Sequence, residues 1–519
     1  MDMFVQRCAG KIKGVLTGFD RIVFKGCLRP LMFADGAMAF FRSRGVLNKN
    51  YKAWVRAQSE LLIERADTYA RATCGQGITP IPSCHERKEK IAHERQRGLG
   101  VTQGLIGVWS CSEACSTYRA HYDAQAGFPQ LRHEYSRCKH LYFYYDHRDY
   151  GFMSVRLQTW FPYNIQIALN GREWLRRALA KSKIDFVLHG NKFLHIADYA
   201  RAQILLDTQL NARWAQLLCG FLPSTFPTMS KTLGPGLAYY WTLWQSEWAT
   251  DYIFATPDDL HPIMEALARH AWMTGTADRV LRYFGRPVDA AGQPHPLANP
   301  EVLTRACRWH DGWRIRHWVD QNSVKLYNDH NNLRAEMTMN NPARFRVFRR
   351  AQGRGGPKKR LPLRKGIADI AIRAQVANHI NRRFMEQMAT LKDDTPMRTI
   401  LAQISQAFRQ DGRQIRALDI LGKDRELLQA IADPKDAVAG LANQQLRQKL
   451  SASAWAKNGT EQQLSARITR HLRLLRAHGL IHKLPCQRRY VLTARGQLLT
   501  TALNAILAAS TQQIIKLAA

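Results

Sequence analysis

Three short runs rich in aromatic and β-branched residues crowd into residues 138–170: CKHLYFYY, GFMSVRLQTW and NIQIALN. DHRDY, which separates the first two, has the length and polarity of a hairpin connection. A helix is expected to start near Gly171. This strand–strand–strand–helix order calls for an antiparallel sheet inside an α+β domain. It constrains the fold more than any other stretch of the chain.

The flanking sequence fits such a body. GVLTGFDRIVFKGCL (14–28), β-branched and bounded by glycines, reads as a strand. Residues 31–72 read as helical, GQGITPIPS (75–83) as a turn-rich break, HERKEKIAHERQR as a helix and GLIGVWSC (104–111) as a strand. Helices and loops with many tryptophans are expected over 172–310. RIRHWV, SVKLYN and LRAEMTM, the last two joined by DHNN, make a further strand unit at 313–340. RFRVFRRAQGRGGPKKRLPLRK (344–365) holds ten basic and no acidic residues and reads as a loop or linker. From 366 the pattern turns helical.

Charge narrows the function. Lys and Arg number 76 against 41 Asp and Glu, a net charge of +35. Self-repulsion on that scale is relieved by a polyanion, of which nucleic acid is the commonest. No apolar run reaches the roughly 18 residues of a membrane span, and the N-terminus has no apolar signal core. Ten cysteines without a regular framework read as reduced thiols of an intracellular protein. The expectation is a cytoplasmic, nucleoid-associated bacterial protein that takes nucleic acid, DNA before RNA, and no membrane. The nearest approach to a zinc pattern is Cys111 and Cys115 with Cys138 and His140, and Cys74, Cys84 and His85 upstream. One residue between Cys138 and His140 is cramped for a single tetrahedral ion, so zinc is disfavoured.

The tail carries the most specific pattern. Helices are expected at RELLQAIAD (425–433) and ANQQLRQKL (442–450). Thr460 then stands as N-cap before EQQLSARITRHLRLLRAHGLI, with Leu464, Ile468, Leu472 and Leu475 at helical spacing. Gln463, Arg467, Arg470 and Arg473 mark the opposite face. HGLIHKLPCQRRYVLT reads as two short strands around a basic tip, followed by another helix. This order resembles the winged-helix domains of MarR- and ArsR-type regulators. There the long helix enters the major groove and the wing touches phosphates. The resemblance implies that Gln463, Arg467, Arg470 and Arg473 meet bases or phosphates and that Arg488 and Arg489 lie on the wing. Arg349, Arg350, Lys358, Lys359 and Arg360 of the basic stretch extend the expected nucleic-acid footprint.

SVKLYNDHNNLRAEMTMNNPARFRVFR resembles a strand pair of the rolling-circle replication initiators of phages and plasmids. Lys325, Tyr327, Arg334 and Glu336 match their pattern; Asn328 and Asp329 replace its Asp-Lys pair. The resemblance implies strand cleavage by a tyrosine, Tyr327, with a divalent metal polarising the phosphate, and nucleic-acid contacts by Lys325 and Arg334. The histidine–hydrophobic–histidine metal triplet common in those enzymes is absent, which leaves a carboxylate site for Mg²⁺ or Mn²⁺. Asp20, inside an apolar strand, and Glu113, just after one, are the expected metal ligands; Asp20, Glu113, Tyr327 and Glu336 form the expected catalytic set. Glu247 and Asp251, four apart in QSEWATDYIF, are further candidates and share one helix face if that segment is helical. Arg21 should point away from Asp20, so another basic residue or a cation should neutralise that carboxylate. As a whole the chain resembles large bacterial proteins with a basic α+β body and a winged-helix tail, a resemblance that implies no particular activity.

The 519 residues suggest about three domains. The expected plan is an α+β fold: a body at 1–350 that can divide into 1–135 and 136–350, a basic connector at 351–365, a helical part at 366–420 and a winged helix-turn-helix at 421–519. It describes a DNA-processing protein of a mobile element or replicon, with a non-catalytic DNA- or RNA-binding protein or transcriptional regulator as the alternative.

Overall fold

The structure is a computed structural model that describes residues 3–82, 85–222, 237–286, 301–309, 312–351, 356–389, 401–402, 404–410, 412–432, 441–456, 459–483 and 488–508. The body is built on β1 (Ile12–Leu28), β2 (Thr79–Pro80), β3 (Gly104–Asp123), β4 (Phe128–His147), β5 (Gly151–Gln158), β6 (Ile165–Asn170), a hairpin of β7 (Phe186–His189) and β8 (Lys192–Ile196), then β9 (Tyr239–Phe254), β10 (Val302–Trp309), β11 (Gly312–Val319), β12 (Asn322–Asp329) and β13 (Asn332–Met339). All but the β7–β8 hairpin form one eleven-stranded sheet in the order β10-β11-β12-β13-β9-β1-β6-β5-β4-β3-β2. Every pairing is antiparallel except that of β2 with β3. With its helices this is an α+β fold.

Apolar side chains of one sheet face, among them Phe24, Phe143, Val155, Ile167 and Met337, share a continuous core with the surrounding helices. Helix Ile370–Met388 packs there. Its Asn381 amide donates to the carbonyls of Trp248 and Ala335, so this helix completes the body although it follows the basic stretch. On the other face, helix Gly171–Lys181, the β7–β8 hairpin and helix Tyr199–Thr208 cap one end of the central strands through Leu16, Leu175, Phe193 and Ile253.

The expected division at 135/136 falls inside β4. There β3 and β4 pair along nearly their whole length, and polar residues alternate where the sequence signal had faded. The helix-rich reading of 172–310 omits β9, a central strand. Its period-two alternation shifts phase at Trp244, where β9 carries one residue more than β1. The basic stretch is in part a ribbon, β14 (Arg346–Arg349) paired with β15 (Lys359–Pro362); residues 352–355 lie outside the described residues.

A second core gathers Leu427, Leu446, Ile468, Leu475 and Leu503. After ribbon β16 (Phe408–Gln410)–β17 (Arg413–Ile415) come helices Arg425–Ile431, Asn443–Leu450 and Glu461–Ala477, ribbon β18 (Ile481–Lys483)–β19 (Tyr490–Leu492) and helix Ala494–Ala508. Thr460 caps the long helix: its hydroxyl accepts from the Gln463 amide N–H at 3.4 Å, and Gln463 Oε1 accepts from the Thr460 N–H at 3.0 Å. Leu464, Ile468, Leu472 and Leu475 are buried as their spacing predicts.

Candidate active site

Between Phe19, opposite Trp248, and Ile22, opposite Ser246, β1 carries one residue more than β9. Such a bulge re-aims side chains, and this one holds Asp20 and Arg21. Asp20 reaches Glu247 of β9 and Glu336 of β13; carboxylate oxygens of the three lie within 4.8 Å of one another. Arg21 pairs instead with Glu89 at 3.2 Å.

Buried cations hold the acids together. Arg334, fully buried on β13, donates to Asp20 Oδ2 at 3.0 Å and to Asp251 Oδ2 at 3.1 Å. It is the basic residue that neutralises Asp20. Arg172 lies 2.9 Å from Asp251 and also donates to the Ala249 carbonyl. Asn191, at the tip of the β7–β8 hairpin, donates to Asp20 Oδ1 at 3.1 Å. Lys325 lies 2.5 Å from Glu336 Oε1, off the angle of a hydrogen bond, so that this buried oxygen has none. Tyr327 donates to Glu336 Oε2 at 2.9 Å.

The electrostatics single out one group. Burial raises the Asp20 carboxyl, with Arg334 opposing. Burial also acts on Asp251, but Arg172 and Arg334 outweigh it and hold that carboxyl below its ordinary value. Glu247 has no hydrogen bond or ion pair among the described residues. Burial, then the negative charge of Glu336, pushes it up to about 7. Asp20, Glu247, Asp251 and Glu336 thus face Arg172, Arg334 and Lys325, one positive charge short, and Glu247 is where a proton relieves the excess. Asp20 and Glu247 open onto a cavity of about 240 Å³ together with Arg21, Glu89, His93 and Asn191. A hard divalent cation prefers several oxygen ligands, and this cluster offers three carboxylates from three strands.

Of the expected catalytic set, Asp20, Tyr327 and Glu336 come together and Glu113 does not. Glu113 pairs with Arg156 at 2.6 Å and Lys88 at 3.1 Å and accepts from Tyr142 at 2.6 Å. Burial favours its neutral form, but these partners prevail and hold it below its ordinary value. Tyr327 is buried, and burial together with Glu336 keeps its phenol well above the ordinary range. Its hydroxyl orients a carboxylate and is not presented as a nucleophile. Lys325 and Arg334, expected on nucleic acid, are engaged inside the cluster. Glu247 and Asp251 do share a face, but of a strand, where residues four apart also align.

Sequence reasoning missed Arg172 and Asn191. The signal for Arg172 was the helix start Asn170-Gly171, where the Asn170 side chain accepts from the N–H groups of Arg172 and Glu173.

In the tail, Gln463 caps its helix, and Arg467 lies over the Trp455 ring at 4.3 Å and donates to its carbonyl. Arg470, Arg473 and Arg488 are exposed, Arg489 is half-buried, and the expected wing tip at 484–487, with Cys486, lies outside the described residues. Arg349 donates to the Pro362 carbonyl and lies 3.8 Å from Asp369; Arg350, Lys358, Lys359 and Arg360 are exposed. Cys115 and Cys138 share a side-chain hydrogen bond, and His140 Nδ1 is 3.8 Å from the Cys138 sulfur; Cys84 lies outside the described residues. No helix among the described residues is long and apolar enough to cross a membrane. Compared with protein-family models, curated proteins and solved structures, the chain matches none.

Proposed function

We propose that the protein cleaves phosphodiester bonds of nucleic acid with a divalent cation, Mg²⁺ or Mn²⁺, held by Asp20, Glu247 and Glu336. One observation carries the reading: three carboxylates from three strands converge in a cluster short of positive charge, two of them, Asp20 and Glu247, open onto a cavity, and Glu247, without a hydrogen bond or ion pair among the described residues, is pushed up to about 7. The cation would displace the Glu247 proton, polarise the scissile phosphate and activate a water. Arg334, Arg172, Lys325 and Tyr327 position the carboxylates and do not reach the substrate. The +35 charge supports a nucleic-acid substrate, DNA before RNA.

In this reading the tail is a winged helix-turn-helix that docks a DNA site, and the body acts on a strand, as in a replicon or mobile element of a bacterial cytoplasm. The element order supports it, as does the Leu441–Tyr490 bridge, which adds a third short segment to the β18–β19 ribbon. The test is cleavage of labelled DNA in Mg²⁺ or Mn²⁺ by the wild type and by Glu247→Gln. Cleavage is expected from the wild type and not from the variant, with equal melting temperatures in EDTA. If neither cation supports cleavage nor raises the melting temperature, the cluster is a structural ion network and the protein a binder.

A further inference from the structure

A second cavity, of about 1120 Å³, lies away from the carboxylates, between the β14–β15 ribbon, residues 284–286 and helix Ile370–Met388. Nine lysine and arginine side chains line it. Four are engaged: Arg286 with Asp320, Arg349 and Arg364 with Asp369, and Arg383 with the Tyr283 carbonyl. The side chains of Arg344, Arg346, Arg350, Lys358 and Arg360 are exposed and make no hydrogen bond or ion pair among the described residues. Asp369 is the only carboxylate of the wall among the described residues and is already doubly paired. Five unbalanced like charges around one cavity repel one another, and several phosphates would relieve them. Phe348 stands in the same wall, directly across the ribbon from Arg360, and is 62% exposed. Cations beside an open aromatic ring hold single strands, phosphates on the former and a base on the latter; a duplex keeps its bases stacked away from such a ring.

We infer that this cavity binds a single-stranded segment of nucleic acid, with its phosphates on Arg344, Arg346, Arg350, Lys358 and Arg360 and a base stacked on Phe348. The inference rests on the proposed function and adds the form of the substrate.

The test is fluorescence anisotropy of the full chain with a labelled single strand of about ten nucleotides, and with the same sequence as a duplex, both in EDTA so that nothing is cleaved. Arg346→Gln/Arg360→Gln should weaken single-strand binding at least tenfold. It should also lower the slope of log affinity against log salt by about 0.7 per residue removed. Phe348→Ala should weaken the single strand between about fivefold and a hundredfold and leave the duplex unchanged. Lys52→Gln, exposed on helix Tyr51–Cys74 and outside the cavity wall, should change either by less than twofold; melting temperatures confirm that all variants fold. Unchanged single-strand affinity in the double variant overturns the inference, and so does equal loss on strand and duplex. Displacement of the strand by inorganic triphosphate at matched phosphate concentration would make the ligand a free polyphosphate and overturn it too. Strand binding without cleavage in Mg²⁺ or Mn²⁺ contradicts only the proposed function; cleavage with unaffected cavity variants contradicts only this inference.

Discussion

Glu247 and Arg334 are the residues at which the candidate site is most exposed to test. The Glu247 carboxyl sits near 7 in the fold against an ordinary 4.5, so between those values the native state binds more protons than the unfolded chain. Stability should therefore fall as pH rises from about 4.5 to about 7 and level off beyond. Glu247→Gln should make this slope shallower in urea denaturation across that range, leaving the share of Asp20, whose carboxyl burial also raises, and Mg²⁺ or Mn²⁺ should stabilise the wild type, but not the variant, above pH 7. Arg334 joins Asp20 to Asp251 without solvent. Arg334→Ala leaves two buried carboxylates short of a partner and should cost about 3–5 kcal/mol, measured by the same denaturation. Asp20 was legible in the sequence because an ionised group inside an apolar strand needs a partner. Glu113 drew the same suspicion, but its partners Lys88 and Arg156 come from elements far apart in the chain, which spacing cannot reveal. Glu247 was visible only as one of two candidates, since its proton affinity comes from burial and from Glu336, 89 positions away.

Among the elements, the long tail helix was read closely, because its cap and its four buried positions lie in one contiguous stretch. Which of its polar residues are free was not legible. Arg467 is taken by Trp455 and Gln463 by its own helix terminus. The two arginines should therefore separate. Arg470→Ala should weaken binding of a duplex site with little change in melting temperature, and Arg467→Ala should lower the melting temperature first. Equal effects of the two on binding at unchanged stability would contradict this assignment. The β1 bulge and the β9 phase shift escaped the reading for one reason. A single inserted residue breaks period-two alternation, so β9 lost its signature near the point where it supplies Glu247. The β14–β15 ribbon was hidden by its charge, which reads as linker, although Val347 within it and Leu363 just after it are buried in the body core.

For the molecule as a whole, net charge was the most informative bulk quantity and the continuous sheet the least accessible. Strands from residue 12 to residue 339 close one sheet, and its order places β1 between β6 and β9 through pairings too distant for local pattern to find. That order is what joins Asp20, Glu247 and Glu336. With +35 to balance, affinity for DNA should fall steeply with salt, as counterion release requires; a log–log slope near zero between low and physiological salt would contradict a nucleic-acid partner. The most direct measurement of the central claim is cleavage of labelled single-stranded DNA by the wild type and by Glu247→Gln, prepared side by side, in EDTA, Mg²⁺ and Mn²⁺. The account predicts cleavage by the wild type in Mg²⁺ or Mn²⁺ alone, and a Glu247→Gln protein that binds the strand as tightly, melts no earlier in EDTA and leaves it whole. Cleavage by the variant at the wild-type rate, or none by the wild type in either cation, would contradict it.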